Sequence, residues 1–144
     1  MTGESLVQQF EGLSLTPYQD VAGNWTIGYG HKIVAGDPYW PVGPLKEITQ
    51  AQAQAQLTTD MAAADQCVTA SVTVPLNSNQ KAALESFVFN VGCGAFQGST
   101  LLQLLNEGNY SAVPGQLDRW VYAGSQVVAD LVTRRAKEGQ VFMA

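Results

Sequence analysis

Two carboxyl groups and a hydroxyl lie close together near the start of the chain, and these three side chains could hydrolyse a glycosidic bond. Glu11 ends a short amphipathic segment, Asp20 lies in a turn-rich segment, and Thr26 lies in a strand-like run. Glycoside hydrolysis needs one carboxyl group that donates a proton to the leaving oxygen and a second that stays ionised. The order of these residues therefore suggests acid–base hydrolysis, with Thr26 holding a water molecule beside Asp20.

The local settings of the two carboxyl groups suggest different roles. Glu11 lies between Phe10 and the Gly12-Leu13 pair, and apolar neighbours favour the protonated form of an acid. Asp20 lies near Asn24 and several glycines, a polar setting that suits the ionised form. The alternative is that Glu11 caps or pairs at the surface and that Asp20 only shapes a turn. The three residues alone do not separate these interpretations.

The elements that must position these residues form a small segment with strands, followed by helices. Apolar residues in Ser5–Phe10 predict a first helix, and Trp25–Ile27 is the clearest strand. A loop rich in proline and aromatic residues follows at 36–44. We therefore expect an α+β fold in which residues 1–144 form one domain. Its expected parts are a β-containing lobe at about 12–48, a connecting helix at about 49–70 and a helical lobe at about 77–144 that includes the first helix.

Two capping boxes predict where the long helices begin. Thr49 with Gln52 opens a helix that runs to about Ala70, and Asn77 with Gln80 opens one that runs through Phe89. Gly92 and Gly94 are expected to end the second of these helices. Three shorter helices are predicted at 99–106, 114–122 and 126–142.

The composition excludes several classes of function. The net charge of −5 argues against a nucleic-acid binder and against electrostatic binding to anionic membranes. No apolar run approaches the roughly 20 residues that a membrane span needs, so no stable membrane insertion is expected. Four of the seven cations lie in the last 26 residues, where they form either a local basic wall or a solvated helix face; they are Arg119, Arg134, Arg135 and Lys137.

The two cysteines, Cys67 and Cys93, allow two interpretations. They either form a disulfide or are two small buried hydrophobic residues. The disulfide is slightly favoured, because Cys93 lies in a flexible Gly-Cys-Gly loop. Neither cysteine belongs to a CxxC pair and the single histidine is remote from both, so we expect no metal site and no cofactor.

Matches across the whole chain strengthen the chemical interpretation. They are Phe10-Glu11-Gly12, Tyr18-Gln19-Asp20, the run TIGYGH at 26–31, SFVFNVG at 86–92, STLL at 99–102, Arg119-Trp120, and Arg134-Arg135-x-x-Glu138 ahead of Phe142. Together they resemble the phage-type, T4-like lysozymes, the muramidases of glycoside hydrolase family 24. The resemblance implies a two-lobed lysozyme-like fold whose cleft binds peptidoglycan. It also implies inverting hydrolysis of the β-1,4 bond between N-acetylmuramic acid and N-acetylglucosamine, with Glu11 as acid, Asp20 as base and Thr26 assisting.

The same resemblance implies roles for further residues. Phe89 and Ser99 would contact saccharide, the Tyr29-Gly30-His31 turn would lie at the cleft edge, and Arg135, or else Arg134, would face and tune Glu11. Each has a structural alternative: Phe89 packs in the core, His31 pairs with a carboxylate or carbonyl, and one arginine is buried while the other is solvated. The three tryptophans stack on sugar rings or are buried; they are Trp25, Trp40 and Trp120.

The expected setting is that of an endolysin, a monomer made in the host cytoplasm that acts in the periplasm or cell wall with a holin giving access. A muramidase effector or a tail-associated lysozyme would use the same chemistry. A catalytically silent wall-binding module is disfavoured, because binding alone requires none of Glu11, Asp20 and Thr26. Two departures stand out: many relatives are basic whereas this chain is acidic, and we expect neither a secretory signal nor a signal-anchor helix at its N-terminus.

Overall fold

The structure is a computed structural model that describes residues 1–39 and 47–144. Trp40 and most of the predicted proline-rich loop lie outside the described residues. The helices are α1 Gly3–Glu11, α2 Gln50–Ser71, α3 Ser78–Val91, α4 Cys93–Gln97, α5 Thr100–Asn106, α6 Val113–Leu117 and α7 Ala129–Met143, with a 3-10 turn at Tyr110–Ala112. The strands are β1 Ser14–Gln19, β2 Trp25–Gly28, β3 His31–Lys32, β4 Tyr122–Ala123 and β5 Gln126–Val127. This mixture confirms the predicted α+β class.

Side-chain caps fix the starts of the long helices, as the sequence predicts. The Thr49 hydroxyl accepts the backbone N–H of Gln52, and the Asn77 side chain accepts that of Gln80. Each cap satisfies an N–H group that has no partner inside the helix. α1 begins with the same arrangement at Thr2, a start that the sequence-based prediction placed slightly too late.

The three N-terminal strands form one antiparallel sheet in the order β1-β2-β3. Thr26 in β2 lies opposite Tyr18 in β1 and Lys32 in β3. A small core under this sheet contains Ile27, Ile33, Ile48 and Ala53. A larger core in the helical lobe is built from the apolar faces of α1, α2, α3, α5, α6 and α7. Because α2 contributes residues to both cores, it connects the lobe that holds Asp20 with the lobe that holds α1.

Two predicted helices are shorter than expected. The helix that contains Pro114 ends at Leu117 instead of reaching Tyr122, and the last helix begins at Ala129 instead of Gln126. The segment between them forms the β4–β5 hairpin, which turns at Gly124 with φ of +62°. Glycine adopts this left-handed conformation without steric cost, so the turn outweighs the helical pattern. The short helix α4 was not predicted; Gly92 ends α3, but Gly94 lies inside α4.

The predicted disulfide is present. Cys67 in α2 and Cys93 at the start of α4 are bonded, with their Cα atoms 5.9 Å apart. Of the helices formed by residues 1–39 and 47–144, none is long and apolar enough to span a bilayer.

Candidate active site

A cleft of about 1010 Å³ lies where the sheet meets the helical lobe. Its walls come from the end of α1, the β1–β2 turn, the end of α3, the β4–β5 hairpin and α7. Glu11, Asp20 and Thr26 all line it. The fold therefore brings the three predicted catalytic residues, which lie on three different elements, into one cavity.

The β1–β2 turn holds Asp20 in a fixed orientation. Its Oδ1 atom accepts hydrogen bonds from the backbone N–H groups of Ala22 at 2.9 Å and Asn24 at 2.8 Å. Its Oδ2 atom accepts from the side-chain Nδ2 of Asn24 at 3.3 Å. Gly23 closes the turn with φ of +83° and donates to the Asp20 carbonyl. These bonds hold the carboxyl group in one orientation at the cleft wall, which suits the predicted role of a base that directs water.

Thr26 lies beside this turn and is only 2% exposed. Its hydroxyl donates to the Asn24 carbonyl at 3.0 Å, which leaves the oxygen lone pairs free to accept. This bond orients the hydroxyl at the cleft wall.

Glu11 is the last residue of α1, and two neighbours fix its carboxyl group. The Arg134 guanidinium donates through Nη1 to Glu11 Oε1. On the other side, a Cβ atom placed on Gly30 would lie 2.5 Å from Glu11 Cδ. Only glycine fits this close approach. The Tyr29-Gly30-His31 turn therefore contributes to the site by leaving room for the Glu11 carboxyl group.

Of the two arginines predicted to face Glu11, the alternative Arg134 does so, and the preferred choice of Arg135 is wrong. Arg135 is fully buried and donates instead to Glu138, three residues along α7. Neighbouring helical residues point about 100° apart, so only one of the two can reach α1. The structural alternative of one buried and one solvated arginine is also wrong, because both are buried.

Ser99 does not contact the cleft, contrary to the resemblance. It is 8% exposed, caps α5 by accepting the Leu102 N–H at 3.1 Å, and donates to the Phe96 carbonyl at 2.6 Å. Both bonds are internal to the helical lobe, and Ser99 is not among the residues that line the cleft. Phe89 is half-buried and lines the cleft while also packing against the helical core, so both of its predicted roles are compatible with its position.

His31 takes the structural role. Its Nδ1 atom lies 2.8 Å from Asp60 and its Nε2 atom 2.9 Å from Asp37, so both ring nitrogens face carboxylates. Burial lowers the pKa of His31, but the hydrogen bonds and charges of Asp60 and Asp37 outweigh it and raise the pKa above 6.5. The ring therefore joins β3 to α2. His31 also borders a smaller cavity of about 260 Å³ next to the cleft.

Comparison with known proteins identifies the family. Residues 8–138 match the phage lysozyme family. The chain belongs to the phage lysozyme family. This membership confirms the predicted class, a lysozyme that hydrolyses peptidoglycan.

Individual relatives support this membership. The chain is 40% identical to the endolysin of Bacillus phage PZA over 97% of its own length, but it spans only 53% of that protein. It is 36% identical to the SAR-endolysin of Enterobacteria phage PA-2, covering 98% of this chain and 82% of the relative.

Solved structures share the same fold. The muramidase domain of SpmX from Asticaccaulis excentricus superposes with a TM-score of 0.83 at 35% identity, covering 99% of this chain and 95% of that domain. The endolysin of Escherichia coli O157:H7 phage FAHEc1 superposes with a TM-score of 0.85 at 31% identity, covering 98% and 90%.

Several cleft residues of this family member were not among the predicted site residues. They are Tyr18, Asn90, Arg119 and Tyr122. Tyr18 lines the cleft together with Glu11 and Asp20. Burial, followed by the charges of these two carboxyl groups, raises the pKa of Tyr18. Tyr18 belongs to the Tyr18-Gln19-Asp20 motif, so its position near the predicted base could be inferred from the sequence. Tyr122 could not, because a helix was predicted there.

The cations of the last 26 residues do not lie together in the structure. Arg119 and Arg134 line the cleft, whereas Arg135 lies in the core. Trp120 also lines the cleft and packs edge-on against Phe87, while Trp25 is 40% exposed on the sheet. Across the described parts of the chain, no group of three or more His, Cys, Asp or Glu side chains is arranged to hold a metal ion.

Proposed function

We propose that the cleft cleaves the β-1,4 bond between N-acetylmuramic acid and N-acetylglucosamine by single displacement, as in the T4-like muramidases of glycoside hydrolase family 24. Glu11 is the general acid, Asp20 the general base and Thr26 an aid in holding water. One observation carries the proposal: three side chains of the required chemistry line one cavity, and the backbone N–H groups of Ala22 and Asn24 fix the orientation of Asp20.

The proposed step needs both carboxyl groups at once. Glu11 transfers its proton to the leaving glycosidic oxygen while that oxygen separates from the anomeric carbon. Asp20 takes a proton from a water molecule, and the resulting hydroxide bonds to the anomeric carbon from the opposite face. Inversion requires space for this water, which in inverting enzymes corresponds to about 6.5–9.5 Å between the carboxyl groups.

The rest of the cleft suits a glycan strand. Aromatic side chains of Phe89, Trp120 and Tyr122 line it, and the Tyr122 side chain is 57% exposed. Aromatic rings pack against the apolar faces of sugars while their polar edges stay solvated. Arg119 and Asn90 add hydrogen-bond donors along the same wall.

In the setting that we propose, residues 1–144 act as one catalytic domain with the lobe boundaries expected above. The names of the relatives favour an endolysin, and the SAR-endolysins among them favour a site of action in the periplasm and cell wall. We propose a monomer that is made in the host cytoplasm and reaches the wall through a holin. Delivery as an effector or with a phage tail would leave the cleft chemistry unchanged.

Substitution of the acid tests the chemistry. Glu11→Gln keeps the shape of the side chain and removes the transferable proton, so turbidity loss of purified peptidoglycan should fall by about 10²–10⁴-fold. Glu107→Gln is the matched control, because Glu107 is an exposed carboxylate that does not line the cleft. If the wild type is inert but still sediments with peptidoglycan, the chain is a wall-binding module and the proposal is wrong.

The stereochemistry has its own measurement. NMR of the product formed first should show the α anomer if a water molecule displaces the leaving sugar directly. Early appearance of the β anomer would show that a covalent intermediate forms and would refute the role of Asp20 as a base.

A further inference from the structure

A network of buried charges lies behind the wall of the cleft that carries Glu11. Its centre is Glu138 on α7, whose side chain is 0% exposed. The Ser86 hydroxyl on α3 donates to Glu138 Oε2 at 2.6 Å, and Arg135 Nη1 donates to Oε1. A buried carboxylate is strongly destabilising unless charges and hydrogen bonds compensate it. The Glu138 carboxylate is compensated on two sides, by the Ser86 hydroxyl and by the Arg135 guanidinium.

Arg135 connects this carboxylate to two other walls of the cleft. Its Nε atom donates to the Trp120 carbonyl at 3.0 Å, and its Nη2 atom donates to Asn90 Oδ1. Trp120 and Asn90 both line the cleft. Glu138 therefore neutralises Arg135, and Arg135 joins Asn90 at the end of α3 to Trp120 in the segment after α6.

Arg134 has more donors than its contacts use. Nη1 donates to Glu11, but Nε and Nη2 are buried without a hydrogen-bond partner among the described residues. The Nε atom lies 3.7 Å from Glu138 Oε2, just beyond hydrogen-bond distance. The guanidinium also lies over the Phe10 ring, 4.9 Å from its centroid. Arg134 thus stands between two carboxyl groups: it is hydrogen-bonded to Glu11 through one nitrogen and lies at ion-pair distance from Glu138.

We propose that Glu138 is a positioning residue for the catalytic acid, because it shares Arg134 with Glu11 during the reaction. While Glu11 carries its proton, Arg134 turns its free Nε–H toward Glu138. When Glu11 has given up the proton and become a carboxylate, Arg134 moves back to it. This inference rests on the acid role of Glu11 proposed above.

The contacts of Glu138 support this exchange. Burial raises the pKa of Glu138, and the charge of Arg135, the Ser86 hydrogen bond, the charge of Arg134 and the Arg135 hydrogen bond oppose this rise without cancelling it. The two arginines therefore supply the compensation that a carboxylate at this buried position needs. A shift of about 1 Å would bring Glu138 Oε2, now 3.7 Å away, within hydrogen-bond distance of Arg134 Nε.

Kinetics of Glu138→Gln test the proposal. The amide keeps the shape and the Ser86 contact but offers Arg134 no negative charge, so kcat on peptidoglycan should fall by at least about tenfold with KM within about twofold. Ser86→Ala is the matched control. It removes a hydrogen bond to the same carboxyl group and leaves the charge, so it should lower the melting temperature while kcat stays within about twofold of the wild-type value. Equal losses of kcat in the two variants, or no loss in Glu138→Gln, would overturn the proposal.

A measurement that leaves Glu138 intact covers the case in which Glu138→Gln does not fold. Glu11→Gln mimics the protonated acid, and the ¹H–¹⁵N signal of Arg134 Nε–H should then move downfield as it bonds to Glu138. An unchanged signal would refute the exchange. If wild type cleaves peptidoglycan while this signal stays fixed, only the inference about Glu138 fails; an inert wild type would refute the proposed function itself.

Discussion

Replacing Gly30 by alanine tests whether the Glu11 carboxyl group must stay where the structure places it. The added Cβ atom would lie 2.5 Å from both Cδ and Oε2 of Glu11. The carboxyl group would have to withdraw by about 0.9 Å to reach an ordinary contact of 3.4 Å. That movement would change the position of the carboxyl group relative to Arg134, which donates to Glu11 Oε1.

The expected effect is large on activity and modest on stability. A misplacement of about 1 Å at a reacting group costs about 10²-fold in rate, or about 2.7 kcal/mol of barrier. Gly30 has φ of +72°, a conformation that costs a non-glycine residue about 1–2 kcal/mol. Initial rates of turbidity loss on purified peptidoglycan, measured beside the melting temperature, report both effects.

Gly108→Ala is the matched control. Gly108 follows α5 with φ of +85°, and a Cβ atom there would have no neighbour within 4 Å. Its substitution carries the same backbone strain without the clash, so stability should fall similarly while the rate stays within about twofold. If Gly30→Ala and Gly108→Ala retained equal activity, the position of the Glu11 carboxyl group would not matter as argued.

Two further predictions concern stability. Because the folded-state pKa of His31 lies above 6.5, the stabilisation from the imidazolium is complete below that pH and is lost as the pH rises through the folded-state value. Urea unfolding should therefore show that His31→Asn costs most below pH 6.5, on the order of 1.5–3 kcal/mol, and progressively less above it; a cost independent of pH would contradict the ionic role. Reduction of the Cys67–Cys93 disulfide, which closes a loop of 26 positions, should lower the free energy of unfolding by about 3–4 kcal/mol. The double variant Cys67→Ser/Cys93→Ser should be insensitive to reductant, and an equal response in both proteins would exclude the disulfide as its cause.

The starts of the long helices could be predicted from the sequence, because each depends on hydrogen bonds between residues only a few positions apart. The capping residues Thr49 and Asn77 mark helix starts because their side chains satisfy N–H groups within the next turn. The β4–β5 hairpin was missed because its two-residue strands are too short to show a period. Gly124 was its one signal, and a single glycine is also compatible with a helix end.

The site residues follow the same division. Glu11, Asp20 and Thr26 were proposed from residue type and order, and the structure places them in one cleft. The choice between Arg134 and Arg135 depends on how α7 is rotated against α1, which the packing of the whole lobe decides. Ser99 is the opposite case. Local rules identify a serine at the start of a predicted helix as a capping residue, whereas the resemblance assigns it to a saccharide contact.

The acidity of the chain lies outside the cleft. The charged residues that line it are three cations and three carboxyl groups, so the net charge of −5 belongs to the rest of the chain; they are Lys32, Arg119, Arg134, Glu11, Asp20 and Asp130. The net charge therefore opposes long-range attraction to an anionic wall, and salt screens this repulsion. Affinity for the glycan must come from short-range contacts inside the cleft.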